Sequence, residues 1–154
     1  MYHKYLSLNI EQPSDVFLGI DEHPERTNKS IRKYFPDVNI LVLDSFSTDQ
    51  TKHVSVDHNA HFVQNKFVGY ANQRNFGIQL LEKYEWVFML DADEEITSDF
   101  AEGLITCLSS ISSNYDIISF RRKDYFLNTW IKRSSGYPTW FGRIVRTSNV
   151  KVKR

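Results

Sequence analysis

The chain holds one cysteine in 154 residues, Cys107, so it forms no internal disulfide, which suits a reducing compartment. Long apolar runs are also missing. The longest uninterrupted one is Trp86–Leu90, whereas a membrane-spanning helix needs about 20 apolar residues. Ser7, Asn9 and Glu11 break up any apolar core of a signal peptide. Neither charge sign is in excess, since 19 Lys and Arg balance 19 Asp and Glu. That balance gives no electrostatic reason to expect nucleic acid as a partner. Neither G-x-G-x-x-G nor G-x-x-x-x-G-K-S/T occurs, which removes the main sequence support for a Rossmann dinucleotide site or a P-loop. No repeat, low-complexity stretch or linker interrupts the chain.

What is present is a composition of 41% hydrophobic, 14% aromatic and 25% charged residues, which excludes a disordered or collagen-like chain. The length suits one domain over residues 1–154, with 1–15 as an N-terminal extension. The charges are segregated. From Arg121 to Arg154, ten Lys or Arg stand against one acid, Asp124, leaving that segment at +9 and the first 120 residues at −9. From Glu82 to Glu102, eight acids stand against Lys83 alone. These segments either neutralise each other across the fold or set an anion site beside a cation site.

The apolar pattern alternates between strand and helix. Leu6, Leu8 and Ile10 alternate with polar residues as in a half-buried strand. Short apolar runs at 16–20, 40–43, 60–63, 86–90 and 115–120 read as strands, and 86–90 as one buried on both faces. Helices are expected over Thr27–Phe35, from a Ser47-Thr48-Asp49 cap to Val56, over Tyr70–Tyr84, and from Thr97 or Ser98 to Ile111. Cys107 is expected to pack in the last of these. After Phe120 the pattern turns irregular and aromatic, with short strands at 144–145 and 150–152. Such alternation predicts an α/β domain with a mostly parallel central sheet.

In open α/β sheets, ligands bind outside the carboxyl ends of the strands. Two predicted strands end in acids there, at Asp44 and at Asp91-Ala92-Asp93. Asp91 and Asp93 are two apart, so in extended backbone their carboxylates share one side. Such a pair offers hard oxygen ligands to Mg²⁺ or Mn²⁺, which commonly take phosphate oxygens as well. The alternative is that Asp93, Glu94 and Glu95 only sit near the positive end of the next helix. His53, His58 and His61 are spaced loosely and read as surface histidines.

Three stretches are decisive together: Val42-Leu43-Asp44-Ser45-Phe46-Ser47-Thr48-Asp49-Gln50-Thr51, Ala71-Asn72-Gln73-Arg74-Asn75-Phe76-Gly77, and Trp86-Val87-Phe88-Met89-Leu90-Asp91-Ala92-Asp93-Glu94. In that order they resemble family 2 glycosyltransferases of the GT-A fold, above all the bacterial branch that builds lipopolysaccharide cores and other cell-envelope glycans. Tyr125–Lys132, Gly136-Tyr137-Pro138 and Arg143–Arg146 extend the resemblance, which runs from about Val16 to Arg146.

The resemblance implies a GT-A-like nucleotide-diphospho-sugar transferase sandwich. Its donor would be a nucleotide-diphospho-sugar and its acceptor a glycan or lipid-linked molecule, on the cytoplasmic side and in peripheral contact with the inner face of the membrane. It places Asp44 at the nucleotide base or ribose, Asp91 at the ribose and metal shell, and Asp93 on a Mg²⁺ or Mn²⁺ ion. Arg74 and Arg143 would meet the diphosphate, with Arg146 as a further cation. Glu94 would orient the metal loop or cap the next helix. Trp130, Tyr137 and Trp140 would stack on sugars or pack internally, and segment 121–154 would form the acceptor side. Two departures stand out. The family's T-x-N-E-like turn is replaced by Ile20-Asp21-Glu22-His23-Pro24, and the segment that carries the family's general base has no counterpart before Arg146, leaving Asp124 as a weak substitute. The alternatives are a nucleotide-sugar binding module without a base, and a haloacid-dehalogenase-like phosphatase. The latter carries D-x-D on its first strand, followed by Thr or Val where this chain has Glu95.

Overall fold

The computed structural model describes residues 16–20, 24–91, 93–133 and 136–153. Four strands, β1 (Val16–Ile20), β2 (Asn39–Asp44), β3 (His61–Gln64) and β4 (Trp86–Asp91), run parallel. They join β5 (Ile117–Arg121) and β8 (Trp140–Arg146) in a six-stranded sheet of order β3-β2-β1-β4-β8-β5, with β8 antiparallel to both neighbours. Helices α1 (Pro24–Tyr34), α2 (Thr51–Asp57), α3 (Tyr70–Leu80) and α4 (Ser98–Ser110) connect the strands. The expected mostly parallel α/β architecture is the one observed.

The continuous apolar runs make sense because the sheet is covered on both faces. Along β4, Trp86, Phe88 and Leu90 enter one core with Ile31 of α1 and Ala101 and Leu104 of α4. The intervening Val87 and Met89 enter a second core with Ile78 of α3 and Leu81. Ile40 and Val42 of β2 divide from Leu41 and Leu43 in the same way. Every position from Ile40 to Leu43 and from Trp86 to Leu90 is therefore apolar, and the period of two is invisible in the sequence. Phe88, Phe100 and Phe120 close the first core as a ring cluster with centroids 5.0–5.4 Å apart. Gly142 of β8 lies against a register shift in β5, where a Cβ would meet Ile117 Cγ2 at 2.9 Å.

Several expectations are corrected. The second helix begins at Thr51, not at Ser47, because the Ser47 amide donates to Asp44 and Asp49 Oδ1 instead accepts from the Thr51 amide at 2.9 Å. Helix α3 stops at Leu80, which is 43% exposed; Gln73, Gly77 and Ile78 form its buried face. Residues 150–152 are not a strand, although Val150 and Val152 pack on the second core. Cys107 is half-buried. The irregular aromatic segment contains a β-hairpin, β6 (Tyr125–Phe126) and β7 (Thr129–Trp130). The predicted alternating strand at Leu6–Ile10 and the acidic Asp21-Glu22 turn lie outside the described residues.

The topology fixes where a ligand can sit. From β1 the chain moves outward through β2 to β3, then returns through α3 to β4 on the other side of β1. Crevices at such reversals, outside the carboxyl ends of the strands, are where α/β sheets bind ligands. Asp91 pairs with Ile20 at that end of β4.

Candidate active site

Asp91 is the last residue of β4, and its carboxylate meets two arginines from distant parts of the chain. Arg143 Nη1, on the antiparallel neighbour β8, lies 2.8 Å from Asp91 Oδ2. Arg74 Nη2, in the first half of α3, lies 3.5 Å from Asp91 Oδ1. Only the antiparallel placement of β8 brings residue 143 to the carboxyl end of β4, so the structure unites three residues expected at one site.

Glu94 completes the cluster. Its Oε2 accepts from Arg143 Nη1 at 2.7 Å and from the Asp91 amide at 3.0 Å. The Glu94 amide donates to the Asp91 carbonyl at 3.0 Å, closing a tight turn around the D-x-D segment. Arg122 Nη1 approaches Glu94 Oε1 at 3.5 Å. Thr27 Oγ1 of α1 donates to the Glu94 carbonyl at 2.8 Å, and Ser30 Oγ accepts from the Ile96 amide at 3.1 Å. Glu94 thus orients the loop and does not cap α4; Thr97 does that, accepting from the Phe100 amide. Burial pushes the Glu94 carboxyl above the usual carboxylate range, against the opposing pull of the Asp91 amide, Arg143 and Arg122. The rings add a further constraint, since the Arg143 and Arg122 guanidinium carbons lie 5.5 and 4.9 Å from the Phe141 centroid.

Asp93 differs from its neighbour in every respect. It is exposed and makes no hydrogen bond or ion pair among the described residues. Those residues bring no three His, Cys, Asp or Glu side chains together as a metal cage. Asp91 and Asp93 together offer two carboxylates, one free among the described residues and one held by arginines. Hard oxygen donors in that number fit a Mg²⁺ or Mn²⁺ ion that completes its shell with phosphate oxygens and water.

Asp44, at the end of β2, is buried at 3% exposure. Its two oxygens accept from the Ser47 amide at 3.2 and 3.0 Å, and Gln64 Nε2 donates to Oδ2 at 2.9 Å. Burial alone would raise its pKa, but the hydrogen bonds from Ser47, Gln64 and the Phe46 amide win and hold it below the usual range. No hydrogen bond or ion pair among the described residues joins it to the Asp91 cluster. Beside it runs a chain the sequence did not single out. Asn65 Nδ2 donates to the fully buried Gln73 Oε1 at 2.8 Å, and Gln73 Nε2 donates to Ser45 Oγ at 3.2 Å. This links α3 to the carboxyl ends of β2 and β3. Gln73 was visible only as part of the quoted helix motif, where a polar residue gives no sign of burial.

Other expected site residues lie elsewhere. Arg146 is at the opposite end of β4, paired with Glu85 and stacked 4.3 Å from the Trp86 ring, so it is not part of the cluster. Asp124 accepts from Arg122 Nε at 2.7 Å. Trp130 and Tyr137 pack edge to face at 5.2 Å, while Trp140 is exposed with Arg121 over its ring. His53 pairs with Asp57 on α2. A cleft of about 390 Å³ opens beside Arg74, lined by Val68 to Asn72, Val152 and Lys153. Asn75 holds the lining residue Val152 by its main chain, donating to its carbonyl at 2.9 Å and accepting from its amide at 2.8 Å.

Residues 25–152 match the family described as Glycosyl transferase family 2. An uncharacterized glycosyltransferase of Rickettsia bellii is 31% identical over 80 residues, covering 52% of this chain and 26% of that protein. One from Rickettsia prowazekii is 30% identical over 65 residues, covering 42% and 22%. Among solved structures, glucosyl-3-phosphoglycerate synthase from Mycobacterium tuberculosis, in complex with uridine diphosphate, superposes with a TM-score of 0.57 at 17% identity over 80% of this chain and 50% of that one. A 4-diphosphocytidyl-2C-methyl-D-erythritol synthase gives the same TM-score at 14% identity, over 86% and 74%. The matches thus span about a quarter of the curated relatives and half of the mycobacterial synthase.

Proposed function

Because the chain belongs to glycosyl transferase family 2, with the GT-A-like fold of nucleotide-sugar transferases, we propose that it binds a nucleotide-diphospho-sugar and transfers the sugar, with inversion, to a glycan or lipid-linked acceptor of the cell envelope. The observation that carries this reading is the convergence of Asp91, Glu94, Arg74 and Arg143 outside β4, where the sheet reverses its order. Two arginines around an acid pair at a strand end suit a diphosphate better than they suit a neutral ligand. Family membership also sets aside the haloacid-dehalogenase-like alternative.

In this reading Arg143 and Arg74 hold diphosphate oxygens, and Asp44 serves the base or ribose end of the pocket. Glu94 keeps Arg143 and the Asp91 backbone in register, so the site is ordered before the donor arrives. Asp93, with Asp91, would hold a divalent ion, which when bound would supply positive charge against the negative charge of a departing diphosphate. The acceptor oxygen bonds to the anomeric carbon as that carbon's bond to the diphosphate oxygen breaks, and the nucleoside diphosphate leaves with the electron pair. The hydroxyl proton passes to a base that we assign to none of the described residues, since Asp124 is tied to Arg122. Segment 121–154 forms the acceptor side, in peripheral contact with the inner face of the membrane. That contact suits a chain in which no helix among the described residues is long and apolar enough to cross a bilayer.

The mycobacterial synthase has been solved with Mn²⁺, UDP-glucose and phosphoglyceric acid, which makes UDP and Mn²⁺ the first probes to use. Calorimetric titration of UDP, GDP and UDP-sugars, each with and without Mn²⁺, tests the proposal. Binding of one nucleotide, strengthened by Mn²⁺, is expected. A folded chain that binds none of them under either condition would overturn it.

A further inference from the structure

The hairpin β6–β7 exposes apolar side chains that no other described element covers. Phe126 is 66% exposed and Leu127 83% exposed, and Tyr125 is mostly exposed as well. The strands pair Tyr125 with Trp130 and Phe126 with Thr129, and the Ile131 amide closes the base by donating to the Asp124 carbonyl at 2.9 Å. Leu127 and Asn128 form the tip with φ of 47° and 61°. Such a two-residue turn favours Asn and Gly, and a leucine held there is an uncommon arrangement. A solvated tip gains nothing from a leucine in the left-handed region, whereas a tip that enters an apolar phase does.

The charge around the hairpin is of one sign. Arg121, Arg122 and Lys123 precede it, and Lys132 and Arg133 follow it, against Asp124 alone, which Arg122 neutralises. Lys123 and Lys132 lie 5.0 and 4.9 Å from the Trp130 centroid, on the ring at the hairpin base. An apolar tip above a collar of cations, with aromatic rings between them, matches the layers of an anionic bilayer: acyl chains, interface and phosphate headgroups. A neutral protein partner would complement the tip but leave the collar unanswered.

We infer that the β6–β7 hairpin is a membrane-docking element that seats Phe126 and Leu127 in an anionic lipid surface. Its base is joined through Arg122 to Glu94, so docking would hold the candidate active site next to the headgroups. Taken with the function proposed above, on which this last step rests, the acceptor is a lipid-linked molecule presented at that surface. The contact itself stands on the hairpin alone.

Vesicle co-sedimentation tests it with the 154-residue chain, using phosphatidylcholine alone and phosphatidylcholine with about 30% phosphatidylglycerol. Binding to the anionic vesicles is expected to exceed binding to the neutral ones by about tenfold or more and to fall with added salt. The double variant Phe126→Ser/Leu127→Ser is expected to lose most of that binding while its thermal unfolding and UDP titration stay as in the parent chain. Lys132→Glu/Arg133→Glu should lower it as well. Equal binding to both vesicle types, or a tip variant that binds like the parent, would overturn the inference. So would a parent chain that dimerises through the tip and ignores lipid. Vesicle binding needs no nucleotide, so failure here and failure of UDP to bind are read separately.

Discussion

Arg143 Nη1 stands 2.8 Å from Asp91 Oδ2, although 52 positions separate the two residues in the chain. The same nitrogen is 2.7 Å from Glu94 Oε2, and its side chain is only 9% exposed. One buried cation thus holds together two carboxylates that would otherwise repel. Removing it leaves Asp91 and Glu94 with only the longer 3.5 Å ion pairs of Arg74 and Arg122; breaking a buried pair in this way typically costs about 3–5 kcal/mol.

Arg143→Met is therefore expected to lower stability by roughly that amount, and Arg143→Met/Glu94→Gln to recover part of it. Urea denaturation of the parent, the single variant and the double variant checks this. Equal losses in single and double variants would show that Arg143 acts through packing on Phe141 and not through the acids.

The two hydrogen bonds between Asn75 and the Val152 backbone tether residues that are 77 apart. Asn75→Leu leaves a half-buried amide and carbonyl without partners, at a cost of about 1–3 kcal/mol. Faster amide exchange confined to residues 150–153 is the expected signature, with little change in β4. Exchange as slow as in the parent chain would mean that Val150 and Val152 hold the segment by packing alone.

Asp44 is held below the ordinary carboxylate range, so its ionised form stabilises the fold. The sign follows from linkage: the contribution is complete above about pH 4, the ordinary aspartate value, and is lost as pH falls through the lower folded value. Asp44→Asn removes the charge at every pH. The stability gap between parent and variant is expected to be widest near neutrality and to shrink below about pH 4. Glu94 runs the opposite way. Its raised pKa favours the protonated form, so its contribution is present below the ordinary glutamate range and lost as pH rises through its folded value. Urea midpoints from pH 3 to 7, with Glu94→Gln in parallel, separate the two.

Much of this was legible from residues alone. Strand ends at Asp44 and Asp91 follow from apolar runs that stop at acids, and of the two expected caps, Thr97 and Ser98, Thr97 is the one used. The long-range geometry was less visible. Arg143 and Arg146 look equivalent in the sequence, three apart in one basic segment. A strand nevertheless spans about 3.3 Å per residue, and Arg146 pairs with Trp86 at the other end of β4, with its side chain on Glu85. Glu94 could read as a helix cap because a carboxylate before a helix commonly is one; only the fold shows it turned back to the Asp91 amide. Gln73 carries no apolar signal, yet it is fully buried because Asn65 and Ser45 satisfy it. The hairpin was hidden because Leu127 is not a turn residue by propensity.

Asp93→Ala, in UDP binding with and without Mn²⁺, tests the acid pair at the end of β4 most directly. Asp93 is exposed and unpaired among the described residues, so its loss is expected to change stability by less than about 0.5 kcal/mol. Mn²⁺ is expected to strengthen UDP binding by the parent chain about tenfold or more, and the variant to lose this gain while keeping its unfolding midpoint. A variant that retains the full Mn²⁺-dependent gain would contradict the assignment of the metal to the acid pair at the end of β4.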